Sequence, residues 1–306
     1  MGSSRILRCG LILLASAQSC EHECTEGAEM ALVQKRLSLQ ATEVKPWDRR
    51  VYLVGTSHKA GSQLLRNIMN WAFDTLGANM SCQKGGRGVP ITSPHIHVDC
   101  DEHPLNIRFD NTVSGKDIVK LRNETRETGG FRGVMIIRDP FEMLISAYCY
   151  HHRGAEPDSI LAPDNITKMP PAEGVPAMAP GMLGVIKMME AATEVARPDV
   201  IVIRYEAITA SSEMFNRTVK NIAQFLFRGE ITHDQRLQIL DAAVVEDLNR
   251  EGDEEGMSFD IPSSSNIPNH TNDDLEMAEA REALELLPAA GLQVEFQHLR
   301  AQLGYY

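Results

Sequence analysis

The sequence has few cysteines, fewer basic than acidic residues, and no apolar run of membrane-spanning length near its start. Its 306 residues include 6 cysteines, which is too few for a fold built on disulfides. Lysine and arginine number 30 against 42 acidic residues, so the formal net charge is −12. This surplus of negative charge repels polyphosphate and argues against nucleic acid as a partner. An anionic ligand must therefore be held by a local pocket.

The first seventeen residues carry the pattern of a secretory signal peptide. Arg5 and Arg8 precede a short apolar run that ends at the small-residue site Ala15-Ser16-Ala17. The run has about half of the roughly 20 apolar residues that a spanning helix needs. We therefore expect cleavage after residue 17 and no stable membrane span, with a retained N-terminal anchor as the alternative.

Five Asn-X-Ser/Thr acceptor sites also predict a secretory route, ending in the Golgi lumen or outside the cell. They begin at Asn79, Asn123, Asn165, Asn216 and Asn269. Cleavage would leave five cysteines, at positions 20, 24, 82, 100 and 149. That odd number allows one or two disulfides whose pairing stays open. We expect Cys149 to be a small buried residue inside a helix.

Short apolar runs alternate with amphipathic stretches from residue 51 onward. Strands are predicted at 51–54, 96–98, 105–109, 133–137 and 200–203, and helices at 64–76, 141–148, 183–195 and 215–226. The alternation predicts an α/β fold with three layers, in which helices flank a mostly parallel central sheet. We expect one domain at 51–306, preceded by the signal peptide at 1–17 and a linker at 18–50.

Two segments of the predicted domain have the composition of loops. Six prolines between residues 157 and 180 break the helical pattern, so 154–180 is predicted to be an insertion. It is either a lid or acceptor loop, or a solvated surface loop. Residues 249–274 are acidic and then rich in Ser, Asn and Pro, which predicts a mobile loop.

The first predicted strand runs into a glycine-containing loop that opens a helix. N–H groups at a helix start bind anions, Gly61 allows close backbone approach, Lys59 supplies a positive charge, and Ser62 adds a hydroxyl. Lys59 precedes Ala60 and Gly61, whereas the lysine of nucleoside-triphosphatase loops follows the last glycine. The loop therefore predicts a phosphate site without a metal, and an ordinary tight turn is the alternative.

A second cationic element follows the central predicted strand. Arg138 ends that strand, and Asp139 and Glu142 then form a capping-box-like helix start. Ligands of open α/β sheets bind outside the carboxyl ends of strands, so Arg138 should face the same crevice as Lys59 if their strands are neighbours. Ser146 lies about two turns into the helix and could reach a second phosphate. An Arg138–carboxylate pair is the alternative.

Together these elements resemble the sulfotransferase family, whose members use 3′-phosphoadenosine 5′-phosphosulfate (PAPS) and have a P-loop-like α/β fold. Lys59-Ala60-Gly61-Ser62 is similar to the family's 5′-phosphosulfate loop, and Arg138-Asp-Pro with Ser146 is similar to its 3′-phosphate element. Arg204-Tyr-Glu206 is similar to a segment whose tyrosine lies near the adenine, and Leu-Gly-Tyr at 303–305 also occurs in many members. The resemblance is closer to luminal, carbohydrate-type members.

The resemblance implies that PAPS is the co-substrate and that no metal is needed. It assigns PAPS binding to Lys59, Ala60, Gly61, Ser62, Gln63, Arg138, Ser146 and Tyr205. Two features depart from the family pattern. Gln63 replaces a frequent Thr or Ser, and the usual late Arg-Lys-Gly stretch is absent, its region at 263–272 carrying His270 instead.

Sulfuryl transfer is an in-line displacement in which Lys59 would stabilise the departing 5′-phosphate. A general base must accept the proton of the attacking group. His97 is the first choice and Asp110 the second, because each lies near the carboxyl end of a predicted strand. The predicted function is a sulfotransferase acting on a hydroxyl or amine of a carbohydrate or small-molecule acceptor. A non-catalytic secreted nucleotide- or glycan-binding protein and an ATP-dependent phosphotransferase are the alternatives.

Overall fold

The computed structural model describes residues 44–78, 106–154, 159–250 and 274–306. The chain divides into two compact units, Met1–Val44 and Lys45–Tyr306, and everything reported below belongs to the second. The strands are β1 (Val51–Gly55), β2 (Ile107–Asp110), β3 (Phe131–Ile137) and β4 (Val200–Arg204).

Helices separate the strands along the chain, and five of the described α-helices follow β4. The α-helices are α1 (Pro46–Arg49), α2 (Ser62–Thr75), α3 (Gly115–Thr125), α4 (Pro140–His152), α5 (Pro171–Val195), α6 (Tyr205–Ile208), α7 (Ser212–Leu226), α8 (His233–Ala243), α9 (Asp274–Glu282) and α10 (Gln293–Gln302). Short 3-10 helices lie at Ile166–Lys168, Val244–Glu246 and Ala283–Ala290.

The four strands form one parallel sheet in the order β2-β1-β3-β4. The chain leaves β1 for β2 on one side and then returns to β3 on the other side of β1. The order therefore reverses beside β1, and a crevice is expected at the carboxyl ends of β1 and β3. In this register Gly55 lies opposite Asp110 on one side and Met135 on the other.

Apolar side chains on both faces of the strands build two cores. Leu53, Met135 and Ile137 belong to a core shared with α3, α4 and α5. Tyr52 and Val54 belong to a second core, shared with α2, α7 and α8. Burial of both faces explains why β3 is a nearly continuous apolar run. The predicted three-layer α/β class, with helices on both sides of a parallel sheet, is confirmed.

Helix α5 occupies the second part of the segment 154–180, which was predicted to be a loop because of its prolines. It begins at Pro171 and continues through Pro176 and Pro180. Pro171 suits the first helical position, but each internal proline removes one backbone hydrogen bond. The helix persists because its buried face packs on the core through Val175, Met178, Ala179 and Met182, and tertiary packing overrides local propensity.

The folded unit also begins before residue 51. Trp47 is buried in α1, and its ring meets the ring of Phe73 edge-on, with 6.3 Å between centroids. The Asn106 side chain donates a hydrogen bond to the Trp47 carbonyl at 2.9 Å. These contacts join residues of the predicted 18–50 linker to the core.

Other predictions lie outside the described residues. They concern the signal peptide, the strand at 96–98, almost all of the loop at 249–274, and Cys20, Cys24, Cys82 and Cys100. Cys149 is buried in α4, as predicted, and burial raises the pKa of its thiol to about 12. Among the residues that the structure describes, no helix is both long and apolar enough to span a bilayer.

Candidate functional site

The loop between β1 and α2 is a tight turn that presents the start of a helix. The Ala60 N–H and the Ser62 hydroxyl both donate to the Ser57 carbonyl, at 3.0 and 3.1 Å. Lys59 and Gly61 have left-handed backbone, with φ of 62° and 101°. Gly61 is the N-cap of α2 and has no side chain with which to satisfy the first-turn N–H groups. Those N–H groups form an anion-binding position.

Gly61 is required by its neighbours as well as by its backbone. A Cβ atom at this position would lie 2.5 Å from the Tyr205 ring and 3.1 Å from the Ile136 side chain. Distances of this kind leave no room for any other residue. The Tyr205 ring therefore packs directly on the loop.

Arg138 reaches the same loop from the end of β3. Its Nη1 donates to the Lys59 carbonyl at 3.2 Å, and its guanidinium carbon lies 4.5 Å from the Tyr205 ring centroid. The two strands that carry these segments are neighbours in the sheet, so their following loops meet at one edge. Arg138 therefore contacts the loop that carries Lys59, through the Lys59 backbone carbonyl.

The positive charge of Arg138 is only weakly compensated. Its Nη2 lies 3.9 Å from a carboxylate oxygen of Glu142, but both oxygens of that carboxylate accept shorter bonds from Arg281, at 3.1 and 3.0 Å. Within the described residues, Nε of Arg138 is buried and has no hydrogen-bond partner. A partly desolvated arginine with an unsatisfied N–H attracts an anionic acceptor.

Lys59 directs its ammonium toward α4. Nζ lies 3.6 Å from the ring centroid of Tyr150, within the range of a cation–π interaction. Arg138 immediately precedes the N-cap of the same helix. Lys59 and Arg138 therefore both lie at the edge of the sheet where a crevice is expected.

A histidine pair borders Lys59, and the sequence prediction did not include it. His58 Nε2 and His151 Nε2 lie 3.1 Å apart, and the two rings stack at 5.2 Å. Burial lowers the pKa of His58 to about 3, helped by the charge of Lys59 and by His151. His58 is therefore neutral at pH 7 and leaves Lys59 as the cation of the loop. His58 immediately precedes Lys59 in the sequence, and this position could have identified it as a neighbour of the site.

Two of the predicted PAPS ligands have side chains that are buried or hydrogen-bonded within the protein. Ser146 lies in α4 and is buried, with 4% of its surface exposed. Gln63 donates to the Asn67 side chain at 2.8 Å, and Asn67 donates in turn to Glu246 at 2.9 Å. The Gln63 amide therefore joins a network along α2, and its backbone N–H is the group that faces the loop end of the helix.

Of the two predicted bases, one can be placed. Asp110 ends β2, opposite Gly55, at the same edge of the sheet as Lys59 and Arg138. One oxygen of its carboxylate accepts hydrogen bonds from the N–H and hydroxyl of Thr112, at 2.8 and 3.3 Å. The carboxylate thus holds the turn after β2. His97 lies outside the described residues.

Comparisons with known proteins find similarity among solved structures. No family model matches the chain, and no curated protein matches it. Among solved structures, a mouse sulfotransferase, SULT7A1, complexed with PAP is similar over 72% of this chain and 74% of its own. The sequence identity is 15% and the TM-score is 0.40.

Proposed function

We propose that this protein is a sulfotransferase that moves the sulfuryl group of PAPS to a hydroxyl or amine of a carbohydrate or small-molecule acceptor. The observation that carries the proposal is the contact between Arg138 and the Lys59 carbonyl. It joins two cationic segments at the point where the strand order reverses. Ligands of open α/β sheets bind at this point.

The residues of the crevice fit a carrier with phosphates at both ends. The 5′-phosphosulfate is assigned to Lys59 and the N–H groups around Ala60, Gly61, Ser62 and Gln63. The 3′-phosphate is assigned to Arg138, whose buried Nε has no partner within the described residues, and to Ser146. Tyr205 packs between the two segments and is assigned to the adenine. Arginine suits phosphate because its planar fork can donate two parallel bonds.

In the proposed reaction the acceptor oxygen or nitrogen attacks sulfur in line with the departing group. A new bond forms to sulfur while the bond between sulfur and the 5′-phosphate oxygen breaks, and negative charge grows on that oxygen. Lys59 and the first-turn N–H groups of α2 stabilise this charge without a metal. The proton of the acceptor passes to a base, for which Asp110 is the described candidate and His97 the other.

The proposed setting is the secretory pathway. The signal-peptide pattern at 1–17 and the five acceptor sites support it, and they favour a luminal acceptor such as a carbohydrate. A secreted protein that binds PAPS or a glycan without turnover is distinguished from an enzyme by the assay below.

The test is transfer of labelled sulfate from PAPS into a panel of carbohydrate and small-molecule acceptors, with and without EDTA. Lys59→Ala should lower kcat by about 100-fold, the usual cost of removing one donor to a developing oxyanion. Arg138→Ala should mainly raise the KM for PAPS, because it removes a contact made in the ground and transition states alike.

Matched controls come from α7, where Lys220 and Arg217 are exposed. Lys220→Ala and Arg217→Ala should leave both constants unchanged. Equal activity of folded Lys59→Ala and wild-type protein would contradict the assigned roles. Binding of PAPS without transfer to any acceptor would favour the non-catalytic alternative, and nucleotide binding that requires Mg²⁺ would favour a phosphotransferase.

A further inference from the structure

The last described helix ends in a motif that fixes the direction of the following residues. The Tyr305 N–H donates to the Arg300 carbonyl and the Gly304 N–H to the Ala301 carbonyl, both at 2.9 Å. Gly304 has φ of 79°. These two bonds and the left-handed glycine define a Schellman motif. The Tyr305 side chain therefore leaves α10 in a set direction.

Arg204, at the end of β4, grips this segment. Its Nη2 donates to the Leu303 and Gly304 carbonyls at 3.2 and 2.9 Å, and its guanidinium lies 4.7 Å from the Tyr305 ring centroid. A Cβ atom on Gly304 would lie 2.5 Å from Nη2 of Arg204. The close approach of Arg204 is therefore possible only because residue 304 is glycine.

Glu206 links Tyr305 to the segment that carries Arg138. One carboxylate oxygen accepts the Tyr305 hydroxyl at 2.8 Å, and the other accepts the Asp139 backbone N–H at 2.8 Å. Burial and the bond to Glu206 raise the pKa of Tyr305, so the hydroxyl remains a donor. The N–H that Glu206 holds belongs to the peptide bond between Arg138 and Asp139.

The same peptide is restrained from α10. The Asp139 side chain accepts a bond from the Phe141 N–H at 2.9 Å and one from Nε of Arg300 at 2.6 Å. Asp139 is therefore restrained by three hydrogen bonds, to Glu206 through its N–H and to Phe141 and Arg300 through its side chain. Residues 300–305 and Arg204–Glu206 therefore fix the backbone that carries the Arg138 side chain. That side chain extends from this backbone toward the Lys59 carbonyl.

We propose that Tyr305 is a positioning residue for the anion site, acting through Glu206 and the Asp139 N–H to orient Arg138. The proposal deepens the proposed function and rests on it for the identity of the ligand. Tyr305 bonds to Glu206 and packs on Arg204, and both residues belong to the segment that follows β4 or ends it. Its effect should therefore fall on the arginine side of the crevice, where the 3′-phosphate is assigned.

The test compares Tyr305→Phe with Tyr306→Phe, because Tyr306 is its neighbour in sequence and is 99% exposed. In the ligand-free protein, amide hydrogen exchange of Asp139 should become about tenfold faster in Tyr305→Phe and stay unchanged in Tyr306→Phe. This measurement needs no ligand, so it decides the link between Tyr305 and the arginine segment even if PAPS is not the substrate.

Calorimetry then measures two ligands, adenosine 3′,5′-bisphosphate and adenosine 5′-monophosphate. Tyr305→Phe should bind the bisphosphate about tenfold more weakly and the monophosphate within twofold of wild type. In an Arg138→Ala background, Tyr305→Phe should have no further effect, because the two residues act on the same phosphate.

The outcomes separate the two proposals. Unchanged exchange at Asp139, or equal weakening of both ligands, would overturn the positioning role. If the wild-type protein binds neither ligand, the proposed function fails, and the exchange result alone decides whether Tyr305 holds the arginine segment. Thermal unfolding of Tyr305→Phe checks that any loss is not a general loss of folded protein.

Discussion

Left-handed backbone at Lys59 and Gly61 gives the anion loop its shape. At Gly61 the φ of 101° would strain any other residue, and the Tyr205 ring occupies the space of a side chain. At Lys59 the protein tolerates a φ of 62°, which is uncommon for a residue with a Cβ atom. Arg138 donates to the Lys59 carbonyl, so one contact both supports this conformation and joins the two cationic segments.

Gly61→Ala should cost about 3 kcal/mol of unfolding free energy, because backbone strain adds to overpacking against Tyr205. Gly229→Ala is the matched control. Gly229 also has a positive φ, of 76°, but nothing lies within 4 Å of its Cβ position, so only the strain of about 1 kcal/mol is expected. Urea midpoints measure both. Equal costs would show that Tyr205 does not press on the loop.

The low pKa of His58 predicts a stability that depends on pH. The folded protein keeps His58 neutral down to about pH 3, whereas in the unfolded chain it takes up a proton below about pH 6.5. Between these values the unfolded state binds more protons, so stability falls as the pH falls. From pH 7 to pH 5 this contribution is about 2 kcal/mol.

The measurement is the change in unfolding free energy between pH 7 and pH 5 for wild type and His58→Gln. The variant should lose about 2 kcal/mol less than wild type. His233→Gln, which removes an exposed imidazole, is the control for loss of a histidine. An equal loss in wild type and His58→Gln would mean that His58 is protonated in the folded protein.

At the scale of single residues, the sequence predicted Lys59 and Arg138 but not the residues that hold them in place. Lys59 and Arg138 stand in local patterns that place each at the carboxyl end of a strand, so topology alone brings them together. His58, Glu206 and Tyr305 act through partners that lie 67 to 99 residues away in the chain. No local pattern carries such a pairing, although the resemblance had marked the segments that contain Glu206 and Tyr305.

At the scale of elements, the pair α4 and α5 depends on glycine. A Cβ atom on Gly174 would lie 2.3 Å from the Tyr148 ring, so α5 meets α4 at closer range than any larger residue allows. Tyr148 in turn donates from its hydroxyl to the Met169 carbonyl at 2.9 Å. Helix α4 carries Tyr150 and Ser146. The packing of α4 on α5 therefore helps to position these two residues.

Two substitutions in α5 should have opposite signs. Gly184 is exposed, and nothing lies within 4 Å of its Cβ position, so Gly184→Ala should stabilise by about 1 kcal/mol through helix propensity. Gly174→Ala has the same propensity gain but should destabilise, because the methyl group meets Tyr148. Thermal unfolding measures both. Stabilisation by Gly174→Ala would contradict the close packing of the two helices.

The strands were easier to predict from sequence than α5. Continuous apolar runs at β3 and β4 are a local signal, and both strands were found within two residues of their bounds. The start of α5 was missed because its prolines signal a break, while the packing of Val175 and Met178 that preserves the helix is a property of the folded chain. Helices α3 and α8 are short, and no prediction was made for either.

At the scale of the whole molecule, the sheet order sets where the function lies. The strand order β2-β1-β3-β4 places the loop after β1 beside the loop after β3. Two short motifs, 79 residues apart in the chain at Lys59 and Arg138, thereby become one site. In a protein with a net charge of −12, a local cationic site of this kind can retain a multiply charged anion.

A secretory route predicts which acceptor sites carry glycans. Asn165 and Thr167 are exposed at the start of the 3-10 helix Ile166–Lys168. By contrast, Oδ1 of Asn216 is buried within α7, and the Thr218 hydroxyl donates to the Met214 carbonyl at 2.8 Å. A glycan on Asn216 is incompatible with this packing.

In a eukaryotic secretory host, Asn165→Gln should therefore remove one glycosidase-sensitive step in gel mobility, and Asn216→Gln should remove none. Absence of any glycosidase-sensitive shift in the wild-type protein would contradict the secretory route. A step lost in Asn216→Gln alone would contradict the packing of α7.

The most direct test of the central claim is calorimetric titration with adenosine 3′,5′-bisphosphate in the presence of EDTA. Wild-type protein should bind one equivalent, and Lys59→Ala and Arg138→Ala should each bind about 10- to 100-fold more weakly, the cost of a charged hydrogen bond. Lys220→Ala and Arg217→Ala should bind as wild type does. No heat of binding in the wild type, or equal affinity in all five proteins, would contradict the account.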